Sequence, residues 1–281
     1  MSPIQPAAQA YAALRLHFAT DHGLYREQYP VAADDRAYSF EWPFSQAHGA
    51  ALDLTGMERG GSRHRRALAA HQKSQEHYWS EAGSTGLPGY ASGPMPPYAG
   101  GGDFFYDDNE WVGLFDIQTH LMHGSRFAVR RAEQIFDLVV SGWDDDPSHP
   151  YPGGVFWTQA PWSSDRNTVS NMPGAQLALR LHQLTGKRRY LDWALTMRNW
   201  TNEHLQRSDG LYHDNVKLDG SIDRTIWSYN QGVPVGVATL LHLVTRRREH
   251  LSEALRIALF EPGPRGFMAV RSEIPARPGP N

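Results

Sequence analysis

Residues 176–193 read QLALRLHQLTGKRRYLDW and contain the end of one helix, a corner and the start of the next. Leu177, Leu181 and Leu184 recur at the three- and four-residue spacing of an apolar helix face. Gly186 follows the last of them, where a left-handed C-cap favours glycine. The basic, amphipathic segment that begins near Tyr190 then predicts a second helix. The stretch therefore predicts a helical hairpin.

The same corner recurs along the chain, centred on Thr55, His123, Thr185 and Thr245, at intervals of 68, 62 and 60 residues. A repeat of this length fits a hairpin with a long return loop. The first helix of each hairpin is the more apolar, which indicates inner helices surrounded by outer ones. We therefore predict an all-α fold, a toroid of helical hairpins preceded by one unpaired helix. An open solenoid is the alternative, although solenoid repeats are usually shorter and more uniform.

Composition excludes several classes of protein. The 281 residues carry 27 Lys+Arg against 30 Asp+Glu, a net charge of −3, which argues against nucleic acid or an anionic membrane as the main partner. The absence of cysteine excludes disulfides and thiolate catalysis. No apolar run approaches the length of a membrane span. The N-terminus lacks the pattern of a signal peptide, so we expect a cytoplasmic protein, or a secreted one if an export signal is missing from this sequence.

Three return loops, residues 83–103, 142–168 and 209–227, are long and rich in glycine, proline and aromatic residues. In a closed ring they would lie on one rim, where function concentrates. Each leads into polar and aromatic residues at the start of an inner helix. Neutral amides and hydroxyls suit sugar hydroxyls, and Trp and Tyr rings suit the apolar faces of sugars. Helix capping and turn formation are the structural alternatives for each loop taken alone.

Two adjacent carboxylates, Asp107 and Asp108, lie within FFYDDNEW at 104–111. Neighbouring like charges do not ionise independently, and aromatic surroundings raise the cost of charging either one. Hydrolysis of an acetal uses two carboxyl groups whose pKa values differ. The alternative is that Asp107, Asp108 and Asn109 cap a helix whose apolar face begins at Trp111.

Four motifs together resemble glycoside hydrolase family 76, the bacterial and fungal α-1,6-mannanases. They are YDDNEW at 106–111, GGVFW at 153–157, NTVSN at 167–171 and WSYNQG at 227–232, and they occur in the order and spacing of that family. The resemblance covers roughly residues 38–260. It implies an (α/α)6 barrel and endo-type hydrolysis of α-1,6-linked mannose chains with retention of configuration.

The resemblance also implies roles for particular residues: Asp107 matches the nucleophile and Asp108 the general acid/base of the family. Retaining enzymes need carboxyl groups about 5–5.5 Å apart, which adjacent residues at a helix start can reach. The expected substrate is α-mannan or a manno-oligosaccharide. The residues predicted to bind it are Trp42, Asn109, Trp111, Trp157, Asn167, Thr168, Asn171, Tyr229, Asn230 and Gln231. Glu110 is predicted to support the pair from behind or to benefit from the helix dipole.

The C-terminal end departs from the family pattern. Six hairpins of about 60 residues would need about 360 residues, and the sequence becomes rich in proline and glycine after Leu259. We therefore expect a barrel domain over residues 1–260 that lacks its last hairpin or hairpins, and an irregular tail over 261–281. An unclosed ring would expose apolar flanks, so self-association through them is a further expectation.

Other types of site find little support. His120 and His123 lie one helical turn apart but lack a third ligand, and Asp144-Asp145-Asp146 lacks the ligand spacing of a calcium loop, so we predict no metal and a solvated loop at 144–146. The sequence contains no P-loop or dinucleotide fingerprint, so no cofactor is expected.

Two alternative functions remain. One is a sugar epimerase or lyase on the same toroid; epimerases of that shape use paired cleft histidines, of which the loop motifs offer only His213. A non-catalytic, mannan-binding scaffold is the other.

Overall fold

The computed structural model describes residues 4–57 and 61–259, and this part of the chain contains nine α-helices. Their bounds are α1 Ile4–Phe18, α2 Glu41–Thr55, α3 Arg65–Gln75, α4 Tyr106–His123, α5 Arg126–Ser141, α6 Thr168–Thr185, α7 Arg188–His204, α8 Tyr229–Thr245 and α9 Arg248–Ala258. Short 3₁₀ helices cover Gly61–His64 and Glu76–Tyr78. The tail predicted at 261–281 lies outside the described residues. Within the described ranges, every helix is too short or too polar to cross a membrane.

The helices pair as the corners predict. Each of α2, α4, α6 and α8 forms a hairpin with the helix that follows it, and the four first helices pack side by side in the order α2, α4, α6, α8. α6 is the most enclosed of them, with both its apolar and its polar first-turn residues buried, whereas α7 is buried along one face only. The prediction of inner and outer helices is therefore confirmed.

A histidine fixes three of the corners. His120, His182 and His242 each lie four residues before the end of the corner, and the ring Nδ1 donates to the carbonyl five residues later at 2.9–3.0 Å. A left-handed residue follows each inner helix: Gly124 (φ 74°), Gly186 (φ 70°) and Arg246 (φ 62°). His120, considered above as a metal ligand, is thus part of a repeated corner. Gly56 ends α2 without the left-handed turn (φ −81°), contrary to the predicted cap.

The return loops join one another along one rim. Two short antiparallel sheets form there: β1 (Trp79–Ser80) with β2 (Gly89–Tyr90), and β3 (Asp165–Asn167), β4 (Asn215–Lys217) and β5 (Ile222–Asp223) in that order. Since β3 precedes α6 and β4 precedes α8, the larger sheet links two different loops. The backbone N–H of Tyr106 also donates to Trp157 O at 2.9 Å. The predicted rim of loops is confirmed and is tied together by backbone hydrogen bonds.

One buried ion pair holds this rim. The Arg166 guanidinium donates to Asp144 Oδ2 at 2.6 Å, and both side chains are buried. The same nitrogen, Nη1, also donates to the carbonyl of Tyr151, and Nη2 donates to the carbonyls of Pro150 and Lys217. The prediction of a solvated loop at 144–146 is therefore wrong for Asp144. A carboxylate can stay charged away from water when a buried arginine is its partner. Sequence composition does not indicate that Arg166 would be that partner.

Arg166→Met is expected to lower the free energy of unfolding by about 3–5 kcal/mol, because Asp144 would remain buried without its partner. Urea denaturation followed by circular dichroism measures the change. Arg188→Met is the control: the Arg188–Asp192 pair is exposed, with Arg188 at 81% side-chain accessibility, and its loss should cost no more than about 0.5 kcal/mol. Equal effects of the two substitutions would contradict a structural role for the buried pair.

Candidate active site

Asp107 and Asp108 lie in the first turn of α4, which begins at Tyr106. The N-cap is Phe105, in an extended conformation and without a side-chain capping hydrogen bond. Interpreting the two aspartates as caps of a helix that starts near Trp111 is therefore wrong. Their position brings both carboxylates close to the unpaired N–H groups and the positive end of the helix dipole, which favours negative charge there.

The two aspartates face different surroundings. Asp107 is half-buried, and its Oδ2 accepts a hydrogen bond from Trp157 Nε1 at 3.3 Å. Trp157 packs edge-on against Phe105, with the ring centroids 5.0 Å apart. Asp108 is buried, at 4% exposure. One side chain of the pair is therefore partly exposed to solvent, whereas the other is buried.

Two buried glutamates lie behind this pair. Burial raises the pKa of Glu41 well above its usual range, and the nearby Asp108 charge raises it further. Burial and the Asp107 charge raise the pKa of Glu110 in the same way. Both side chains therefore keep a proton to higher pH than an exposed glutamate does, because a third and a fourth negative charge at this place would be unfavourable. Glu110 was predicted to support the pair, whereas Glu41, from the start of α2, was not predicted.

Glu41 is also fixed in position. Its Oε1 accepts a hydrogen bond from Gln75 Nε2 at 2.7 Å, at the end of α3. The backbone N–H of Glu41 donates to Ser92 O at 3.0 Å, in the loop that leads to α4. The glutamate therefore connects the first hairpin to the loop beside the aspartate pair. Only the packing of α2 on α4 brings it there.

Residues at the start of α8 form another side of the cleft. Tyr229 is 42% exposed and stacks on Trp227, with centroids 6.0 Å apart and ring planes within 8°. Burial raises the pKa of the Tyr229 phenol, and the charges of Asp214 and Asp107 add to the effect. Because both carboxylates act on one phenol, Tyr229 lies near both of them. A residue of α8 is thus close to the pair on α4.

Asp214 is a second acidic group of the cleft that was not predicted. Its two oxygens accept hydrogen bonds from Asn230 Nδ2 at 2.9 Å and Asn215 Nδ2 at 3.1 Å. Burial raises the pKa of Asp214, and these hydrogen bonds partly oppose the shift. The backbone carbonyl of Asp214 accepts from Thr168 N at 2.8 Å, which fixes the loop against α6. Its carboxyl group is therefore held rigidly on the rim.

Three amides predicted to bind substrate hold the backbone of the loops. Asn109 Oδ1 accepts from Tyr90 N at 2.7 Å, and its Nδ2 donates to the carbonyls of Tyr90 and Phe105. Asn171 makes the same three contacts with Val155 and Asn167. Gln231 makes them with Tyr212 and Trp227. All three amides therefore hold the loop backbone, and their predicted contact with substrate stays a prediction.

Three further predicted ligands are buried as well. The Thr168 hydroxyl donates to His213 O at 2.7 Å, so this residue joins α6 to the next loop. Asn230 serves the cleft indirectly by holding Asp214, and Asn167 lies at the end of β3 with its side chain buried. Direct substrate contact by these three residues stays a prediction. Trp111, Trp157 and Tyr229 keep partly accessible rings and Trp42 is 44% exposed, so their role stays a prediction.

Histidines and metal ligands are sparse in this cleft. His213 is half-buried and burial lowers its pKa. His149, the other histidine of the loops on this side, pairs with Asp144 at 2.9 Å. Among residues 4–57 and 61–259, no three His, Asp or Glu side chains are grouped so that they could hold a metal ion. The groups of the described site that suit acid–base chemistry are its carboxyl groups.

Comparison with protein-family models matches residues 69–261 to glycosyl hydrolase family 76. Among curated proteins, a mannan endo-1,6-alpha-mannosidase of Saccharomyces cerevisiae is 31% identical over 123 residues, 41% of this chain and 27% of that protein. One from Candida glabrata is 29% identical over 122 residues, 40% of this chain and 27% of that protein. The chain thus spans about a quarter of the length of these relatives.

Solved structures agree with the fold. A family 76 glycoside hydrolase from a bovine Bacteroides thetaiotaomicron strain is 27% identical, with a TM-score of 0.78 over 92% of this chain and 56% of the other. An inactive variant of an α-1,6-mannanase from Salegentibacter, with two adjacent aspartates changed to asparagine and α-1,6-mannotriose bound, is 22% identical. It gives a TM-score of 0.73 over 92% of this chain and 71% of the other. The predicted (α/α)6 fold class is confirmed.

Proposed function

The chain belongs to glycosyl hydrolase family 76, and we propose that it hydrolyses α-1,6-mannosidic bonds within α-mannan chains with retention of configuration. The observation that supports this most is the adjacent Asp107–Asp108 pair at the rim of the toroid. In the Salegentibacter α-1,6-mannanase, the variant described as inactive has two adjacent aspartates replaced. The proposal extends that chemistry to this chain through the shared family and fold.

The mechanism uses the two carboxyl groups in turn. Asp108 protonates the glycosidic oxygen while Asp107 attacks the anomeric carbon, so that the C–O bond breaks and a mannosyl ester forms on Asp107. Asp108, now a carboxylate, removes a proton from water, and the water oxygen displaces Asp107 from the anomeric carbon. Asp108 regains in the second step the proton that it gave up in the first. Because the anomeric carbon is inverted twice, the product keeps the configuration of the substrate.

The surroundings suit these roles. Asp107 borders the open cleft and accepts a hydrogen bond from Trp157, which stabilises its ionised form as a nucleophile requires. The raised pKa values of Glu41 and Glu110 disfavour further negative charge beside the pair. On the opposite side, Asp214 and Tyr229 present hydrogen-bonding groups to sugar hydroxyls. The partly exposed rings of Trp42, Trp111 and Trp157 offer faces for sugar rings.

Incubation with α-1,6-mannan tests the proposal. We expect new reducing ends and a falling polymer length, with the α-anomer observed first by proton NMR. Polymers linked α-1,2 or α-1,3 are the control for linkage. Epimerised sugar or an unsaturated product would favour the epimerase or lyase. Binding of the polymer without new reducing ends would favour the non-catalytic scaffold.

Self-association also stays a prediction, and sedimentation velocity tests it.

Trp157→Phe is expected to lower kcat by about 10- to 100-fold, because it removes a hydrogen bond to a charged group worth about 1.5–3 kcal/mol. The initial rate of α-1,6-mannan cleavage measures the effect. Trp162→Phe is the matched control. The Trp162 ring is exposed, and its centroid lies 6.1 Å from that of the Trp157 ring. A rate that is unchanged in Trp157→Phe would show that the indole N–H does not support Asp107.

A further inference from the structure

A second cavity, of about 500 Å³, lies between the outer helices α3 and α5 and has α4 as its floor. Asp116 lies on this floor, nine residues after Asp107 on the same helix. Nine residues correspond to two and a half helical turns, so the two aspartates point to opposite faces and are about 13 Å apart along the axis. The cavity is therefore separate from the catalytic cleft.

The floor is polar where the inner helices α6 and α8 are apolar, and His48 of α2 is a further polar residue at the position of Asp116. Counted back from the corner residue, Asp116 of α4 corresponds to Ala178 of α6 and Ala238 of α8. Thr119 corresponds in the same way to two leucines, Leu181 and Leu241, and all four of these apolar residues are buried. A polar pair at positions that pack the core elsewhere needs an explanation besides stability, because burying polar groups is unfavourable.

These polar groups also lack protein partners within the described residues. Thr119 is only 4% exposed, and its hydroxyl makes no hydrogen bond. By contrast, the hydroxyls of Thr185 and Thr245 donate to the carbonyl one turn earlier at 2.7 Å, as helical threonines commonly do. Asp116 Oδ2 is buried and also unpartnered. Buried polar atoms of this kind normally have a partner, which here would have to come from the cavity.

Most residues that line the cavity are uncharged, which suits an uncharged ligand; of the charged ones, Glu76 is paired with Arg131 and Arg65 is exposed. Burial raises the pKa of Asp116 well above its usual range, an effect that Arg131 opposes in part, and burial lowers the pKa of His48 to about 4. These shifts favour the neutral forms of both side chains, which can donate as well as accept hydrogen bonds. Arg131 is engaged with Glu76 at 2.9 Å. Leu68, Val112 and Ala128 supply apolar walls.

We propose that this cavity is a binding site for a neutral hexose, one or two sugar rings in size. A sugar combines hydroxyls for Asp116 and Thr119 with C–H faces for the apolar walls. The volume lies within the range of small-molecule sites, and few polar groups placed among apolar ones are typical of them. The proposal does not depend on the cleavage reaction, because the site is formed by a different face of α4.

Methyl NMR with D-mannose as the probe tests the site in the full chain. We expect shifts of the Leu68, Val112 and Ala128 methyl signals that saturate in the millimolar range, about 4 kcal/mol of binding free energy. The Trp157 indole signal reports binding in the cleft separately. Absence of shifts at the cavity methyls up to 100 mM mannose (about a hundredfold excess over a millimolar Kd), or shifts confined to the cleft, would overturn the proposal.

Matched variants localise the effect. Thr119→Leu and Asp116→Ala install the residues that α6 and α8 carry at these positions, and each should weaken mannose binding at the cavity at least about tenfold. Thr119→Val removes only the hydroxyl and serves if Thr119→Leu does not fold. Thr239→Val, an exposed helical threonine on α8, is the control and should leave binding unchanged. Unaltered affinity in both Asp116→Ala and Thr119→Val would overturn the assignment.

Discussion

Asp107→Asn and Asp108→Asn are each expected to lower the rate of α-1,6-mannan cleavage by about 10⁴-fold or more, the scale seen when a catalytic group is removed. Asparagine keeps the size of the side chain, but its amide neither attacks the anomeric carbon nor transfers the proton. Release of reducing ends measures the rate, and thermal melts of the variants verify that the fold is kept. The two substitutions should differ in which step they stop.

An aryl α-mannoside with a good leaving group separates the two roles. Its leaving group needs no proton, so Asp108→Asn should still release the phenol in a burst of one equivalent and then stall, because no base activates water. Asp107→Asn should show no burst. With azide, Asp108→Ala should give the retained α-mannosyl azide and Asp107→Ala the inverted β-product. The opposite pattern would exchange the two roles, and unchanged cleavage in either asparagine variant would contradict the proposed mechanism.

The fold was predictable from sequence to the extent that helix ends are local. The segment around Gly186 and the one around Gly124 carry apolar periodicity, a glycine and a basic helix start, and both form left-handed corners. The corner at Arg246 shows the same geometry without glycine. The histidine that precedes each corner was readable in HLMHGS, HQLTGK and HLVTRR, but its contact with a carbonyl becomes visible only once the corner has folded.

The site was predictable only in part, because a polar residue near a cleft can either bind substrate or form hydrogen bonds with the backbone of the loops. Asn109, Asn171 and Gln231 are chemically suited to sugars, yet each is one turn into its helix and close to an unpaired loop backbone, which it satisfies first. Conversely, Glu41 lies far from Asp108 in sequence and is brought near it by the packing of α2 on α4. Local chemistry identified the aspartate pair, whereas tertiary packing chose its neighbours.

Those buried neighbours lead to a prediction about stability and pH. In the unfolded chain Glu41 and Glu110 titrate near 4.5, but in the folded protein burial raises the pKa of both. Below about pH 4.5 both states are protonated and the two glutamates contribute nothing. As pH rises from there, the unfolded state loses protons that the folded state keeps, so stability falls until the folded pKa values are reached. The slope is at most about 1.4 kcal/mol per pH unit for each group.

Glu41→Gln with Glu110→Gln should therefore remove up to about 2.7 kcal/mol per pH unit of this decline. We expect the free energy of unfolding of the double variant to rise relative to that of the parent between pH 4.5 and 7. This holds whatever the difference between the two proteins is at pH 4. Urea midpoints measured across this range give the difference, which is unaffected by the pH-independent cost of the amides. Glu249→Gln, at an exposed pair with Arg247, is the control. A difference that does not change with pH would mean that both glutamates ionise normally behind the aspartate pair, and Asp107 would then react beside additional negative charge.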